Sequence, residues 1–146
     1  MALQRRIGAV REGGVNTELP HYRVLIESAL AYASGTHTFE DVAQEVEDGR
    51  AQFWPGPHSV IITQIDEEPQ GHTLHFFLAA GTSAELRAME PGILEWGRGQ
   101  GCVRARLVGR KGWERSFLKD TGWVNSGLII MEKSINGPSR EVRKAE

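Results

Sequence analysis

The chain has 146 residues, 40% hydrophobic and 25% charged, with a formal net charge of −2. That composition suits one folded domain and excludes a disordered chain, and the near-neutral balance argues against general electrostatic capture of nucleic acid. No apolar run reaches the ~18 residues of a membrane span, no apolar stretch follows the basic start Met1–Arg6 as a secretory signal requires, and the single Cys102 excludes an internal disulfide.

Residues 1–18 read as a polar arm with a short strand at Ile7–Val10. Pro20 then marks a helix start, and Val24, Leu25, Ala29, Leu30 and Tyr32 recur near the helical period until Ser34-Gly35 ends it. Thr38 with Asp41 three residues on is an N-capping pattern. It opens a second helix with Phe39, Val42, Ala43 and Val46 inward, closed by Gly49.

The period then shortens. Gln52–Trp54 and Ser59–Ile65 predict two strands joined across Pro55-Gly56-Pro57, and Thr73–Ala80 predicts a third. Its nearly continuous apolar run implies burial on both faces and a central place in the sheet. Thr82-Ser83-Ala84-Glu85 is a capping box for a helix that Pro91 is expected to kink or divide. Cys102–Val108 predicts a strand, Gly112–Thr121 a short helix and Trp123–Lys133 a long final strand, before a polar tail over residues 136–146. The strand–helix–strand step from Leu74 to Leu107 implies a parallel crossover, so the chain reads as a single α/β domain, a mixed sheet flanked by helices on both faces.

That order, ending in Trp113–Trp123, resembles the C-terminal half of the GNAT acetyltransferase superfamily. There a short helix ends in Tyr-x-Lys-x-Gly-Phe, and Leu118, Lys119, Gly122 and Trp123 hold the matching places. The resemblance spans residues 19–135. Gly49–Trp54, Gly101-Cys102 and Gly109–Arg115 are similar to segments of small GNAT-like proteins of bacteriophages and prophages.

The resemblance implies acetyl-coenzyme A as cofactor, held through its pyrophosphate by Arg/Gln-x-x-Gly-x-Gly/Ala at a strand-to-helix turn, where backbone N–H groups face the phosphates. At that turn this chain has Ala80-Gly81-Thr82-Ser83-Ala84-Glu85, with one glycine, no preceding Arg or Gln, and an acid that repels phosphate. Arg98-Gly99-Gln100-Gly101 matches the motif's letters but follows a helix, the reverse of the context required. Leu118 replaces the family's Tyr acid and cannot transfer a proton. His75 is the titratable candidate on the central strand, against its plainer reading as a structural histidine. His72 and His75 point to opposite faces, so no metal pair is expected.

Arg104, Arg106, Arg110, Lys111 and Arg115, with Trp113, form a candidate anion or partner surface, against the plainer reading of a solvated face paired with Glu114 and Asp120. The leading expectation is therefore a degenerate, non-catalytic GNAT-like protein of a phage. It has no cofactor, acts in the virion or its assembly, and has other virion proteins as partners and the virion or host cytoplasm as its place. The alternative is an acyl-coenzyme A-dependent N-acetyltransferase with a nonstandard loop, Gly81, Thr82 and Ser83 lining the pyrophosphate and His75 as base. A third reading, a small DNA-modifying or host-takeover protein using the basic cluster, predicts binding that weakens steeply with salt.

Overall fold

The computed structural model describes residues 18–33, 35–116 and 118–136, so the expected strand at Ile7–Val10 and all of the tail beyond Asn136 lie outside them. A 3-10 turn at Leu19–Tyr22 runs into α1 (Arg23–Leu30), followed by α2 (Phe39–Glu47), β1 (Gln52–Pro55), β2 (Val60–Asp66) and β3 (His72–Ala80). α3 (Ser83–Gly99), β4 (Cys102–Leu107) and a 3-10 turn at Lys111–Arg115 complete the elements. The sheet order is β1-β2-β3-β4, antiparallel except for the parallel β3–β4 pair that α3 connects.

Alternation along β2 sends side chains to two cores. Val60 and Ile62 join Ile26 and Leu30 of α1, Phe39 and Val42 of α2, and Phe53 and Leu78 on one face. Ile61 joins Leu74, Phe76 and Ala79 of β3, Leu86 and Ile93 of α3, and Leu118 on the other. Both faces are helix-covered, as the run of β3 implied. No helix among the described residues is long and apolar enough to cross a membrane.

Local capping signals are realised. Thr38 Oγ1 accepts from the Asp41 amide at 3.1 Å while Asp41 Oδ2 accepts from the Thr38 amide at 2.9 Å, which satisfies two otherwise orphaned donors. Four expectations are corrected. The buried stripe of α1 is Ile26 and Leu30, whereas Val24 and Tyr32 are exposed. Three consecutive apolar residues at 24–26 fit two helix faces, and the sheet selects one. Of the kink or division expected at Pro91, the division does not occur: α3 runs unbroken from Ser83 to Gly99 with Pro91 exposed, where the proline ring does not compete with core packing. The helix expected at Gly112–Thr121 is only the 3-10 turn and succeeding turns, with Asp120 at φ 61° and Gly122 at φ 93° reversing the chain.

The final strand is likewise absent from the sheet. Trp123 is pinned against Phe76, ring centroids 5.5 Å apart, and its indole N–H donates to Glu90 at 2.8 Å. Beyond it the Gly127 amide donates to Asn125 Oδ1 at 2.8 Å, a local turn that carries Leu128–Ile135 away from the domain.

Candidate functional site

β3 pairs with β2 as far as Ala80 but with β4 only as far as Phe76↔Leu107. The β4-facing edge of Phe77–Ala80 therefore has no strand neighbour, β4 itself ending at Leu107. A bulge accompanies this fork: Ile62 pairs with Leu78 and Thr63 with Phe76, which leaves Phe77 without a partner. Bulges bend a strand and re-aim its backbone, and they concentrate beside ligand sites. α3 begins at the mouth of the fork.

Two backbone donors at that mouth are engaged by neighbouring hydroxyls. The Glu85 amide donates to Thr82 Oγ1 at 3.3 Å, which is half of the expected capping box; the reciprocal bond is not made, because the Thr82 amide donates instead to Ser59 Oγ at 3.1 Å. Ser59 Oγ in turn donates to Glu85 Oε1 at 2.7 Å, and the same oxygen accepts from the His58 amide at 2.8 Å. His58 Nδ1 lies 3.1 Å from the second carboxylate oxygen. The Ser59 hydroxyl first, and then the His58 amide, hold the Glu85 carboxyl below the usual carboxylate range, so it is anionic at neutral pH. Gly81, at φ 131°, sits directly on Ser59: a Cβ there would lie 2.2 Å from its Oγ. Gly81, Thr82 and Ser83 are thus brought to the helix start as expected, but the seat is braced by the β1–β2 turn. Sequence reading found Glu85 and missed Ser59 and His58, whose only signal was their place beside a Pro-rich turn.

The other candidates are dispersed. Half-buried His75 lies on β3 opposite Arg106, its ring centroid 6.2 Å from that of Phe77. Burial pushes its pKa down and nearby Arg106 adds to this, against the opposing pull of Asp66, so the ring is neutral at pH 7. Leu118 is buried in the core on the α3 side, and Tyr22 is committed to the Gly56 carbonyl at 2.7 Å. Half-exposed Cys102 has its thiol pKa raised by burial.

The basic set divides. Arg104 and Arg106 share Glu68, at 3.3 Å and 3.6 Å, and Arg104 also donates to Thr73 Oγ1 at 3.1 Å. Pairing with an acid is what the plainer reading predicted, but the acid is Glu68: Glu114 bonds Asn125 and Asp120 meets Lys119. Arg110 stacks between Tyr32, 4.2 Å from the ring centroid, and Trp113, 5.4 Å away. Arg115 is exposed, and the backbone of Lys111 opens the 3-10 turn. Among the described residues no group of three or more His, Cys, Asp or Glu could hold a metal ion.

No family model matches the chain, and no curated protein matches it significantly in sequence. Among solved structures, a point mutant of TTHA1254 from Thermus thermophilus superposes with a TM-score of 0.57 at 13% identity over 81% of this chain and 94% of that one. A probable acetyltransferase superposes with a TM-score of 0.55 at 8% identity, over 82% of this chain and 97% of its own. The fold is GNAT-like: among the described residues, one mixed four-stranded sheet, three α-helices and a β3–β4 fork.

Proposed function

We propose that this is a GNAT-like binding domain that acts through protein contacts and does not transfer acyl groups. The observation that carries the reading is the braced mouth of the fork. A coenzyme pyrophosphate would have to displace Ser59 from the Thr82 amide and approach the anionic Glu85. Leu118, buried where the resembled family places its acid, supports the same conclusion. The setting we propose is a virion, or its assembly, with other virion proteins as partners.

A second reading is favoured by the fork itself. The unpaired edge of Phe77–Ala80 offers backbone donors and acceptors to an acyl thioester, and neutral His75 has a lone pair for a proton. In an acyl-coenzyme A-dependent N-acyltransferase of this kind, an amine attacks the thioester carbonyl and loses its proton to His75. The coenzyme thiolate leaves, and Gly81, Thr82 and Ser83 hold the pyrophosphate.

Calorimetric titration with acetyl-coenzyme A and coenzyme A separates the two. The first reading expects no binding at millimolar ligand. Micromolar binding that Thr82→Glu abolishes overturns it and leaves the transferase.

A further inference from the structure

The two edges of the sheet are unlike. β1 is four residues long and ends in Pro55, which blunts it. β4 is six residues long, contains no proline, carries Val103 at 62% exposure, and pairs with nothing on its outer side among the described residues. Such an edge is a template for one more strand.

The same chain carries a strand-like segment with nothing to pair with. Leu128, Ile129, Ile130 and Met131 are 83%, 79%, 61% and 82% exposed, and Ile135 is 91% exposed. β-branched and apolar residues are what a sheet edge accepts, and a run of exposed apolar side chains marks an interaction site. The anchored Trp123 and the Asn125–Gly127 turn project the segment off its own domain.

We propose that Leu128–Lys133 forms a β-strand against the outer edge of β4 in a second copy of this chain, reciprocally, so that a two-fold dimer closes with both edges covered. The lengths agree, six residues to six. Period-two alternation places Ile129 and Met131 on the face shared by Ala105 and Leu107. Glu132 then falls on the opposite face, beside Arg104 and Arg106, two cations whose one acid within ion-pair distance among the described residues is Glu68. Docking one face of the segment in each copy removes on the order of 1,800 Å² from water, counting both partners, within the range of stable interfaces.

The test is light scattering and hydrogen exchange on the full chain. The wild type is expected at twice the chain mass at tens of micromolar, and the Ile129→Glu/Met131→Glu variant at the monomer mass. The variant should keep the helical far-UV circular dichroism signal and the thermal unfolding of the folded domain, since both positions are exposed in the single chain. In the dimer, amides of Leu128–Lys133 and the outward amides of β4 should exchange at least about tenfold more slowly than after dilution to monomer. A wild type monomeric at every concentration overturns the proposal. So does a dimer that survives both substitutions, or one in which β4 gains no protection.

Discussion

Replacing Gly81 with alanine tests why glycine is required at the mouth of the fork. At φ 131° an L-residue is strained, which costs about 1–3 kcal/mol. The new Cβ would lie 2.2 Å from Ser59 Oγ, 2.4 Å from its Cβ and 2.5 Å from its Cα. The backbone atom cannot rotate away, so overpacking adds about 1–3 kcal/mol. The sum, about 2–6 kcal/mol, is a large part of the ~5–15 kcal/mol that holds a domain folded, and it lowers Tm by on the order of 10 °C. Urea unfolding followed by tryptophan fluorescence and circular dichroism reads the loss. Ser59→Gly alone sacrifices the bonds to Thr82 and Glu85, but in the Gly81→Ala background it also removes two of the three close atoms. The double-mutant cycle should therefore show about 1–2 kcal/mol of favourable coupling. A cost below about 1 kcal/mol, or strict additivity, refutes the claim that Gly81 is fixed by Ser59. Glycine would then be serving an absent ligand, and the transferase reading would gain.

Three further outcomes follow from the same contacts. Because the Glu85 carboxyl is held low in the folded state, its stabilisation is full above the free-carboxyl range and is lost as pH falls through the lower folded value. The Tm gap between wild type and Glu85→Gln should be constant near neutrality and close below about pH 4.3. His75 is depressed mainly by burial, so the unfolded chain binds its proton first. Stability should fall below about pH 6.5 in the wild type but less so in His75→Gln, and an NMR titration of the ring should give a midpoint below the free imidazole value. Pro91 is exposed inside α3, so Pro91→Ala should stabilise the domain by about 1–3 kcal/mol in urea unfolding, and a loss would mean that the ring packs on a neighbour.

The elements the sequence displays best are those specified within a few residues. The Thr38–Asp41 capping box, the Thr82 N-cap, and the apolar runs of β2 and β3 are local facts, and each is realised. The crossover through α3 follows from the order of elements and the geometry of connections. What escapes is whatever a partner decides. An apolar run such as Leu128–Met131 has the composition of a strand, but a strand exists only where it bonds a neighbour, and among the described residues this run pairs with none. In the same way, residues 24–26 fit two faces of α1, and only the sheet beneath makes Ile26 the buried one.

The candidate site shows the same division. The departure of Ala80–Glu85 from a phosphate loop is plain in the sequence, and so is the charge that opposes a phosphate. The compensation is not, because it comes from Ser59, 26 residues away. Its logic is that of donor supply. A helix start exposes backbone N–H groups that something must accept, and here Ser59 Oγ takes the Thr82 amide while its own proton goes to Glu85. The Glu85 carboxylate in turn closes the β1–β2 turn onto α3 through His58. Under the proposed reading, stability and phosphate binding compete for one set of groups. On that reading a ligand phosphate that takes the Thr82 amide deprives Ser59 of its donor and meets the Glu85 carboxylate. The same substitutions that would open the site should therefore loosen the join between the sheet and α3.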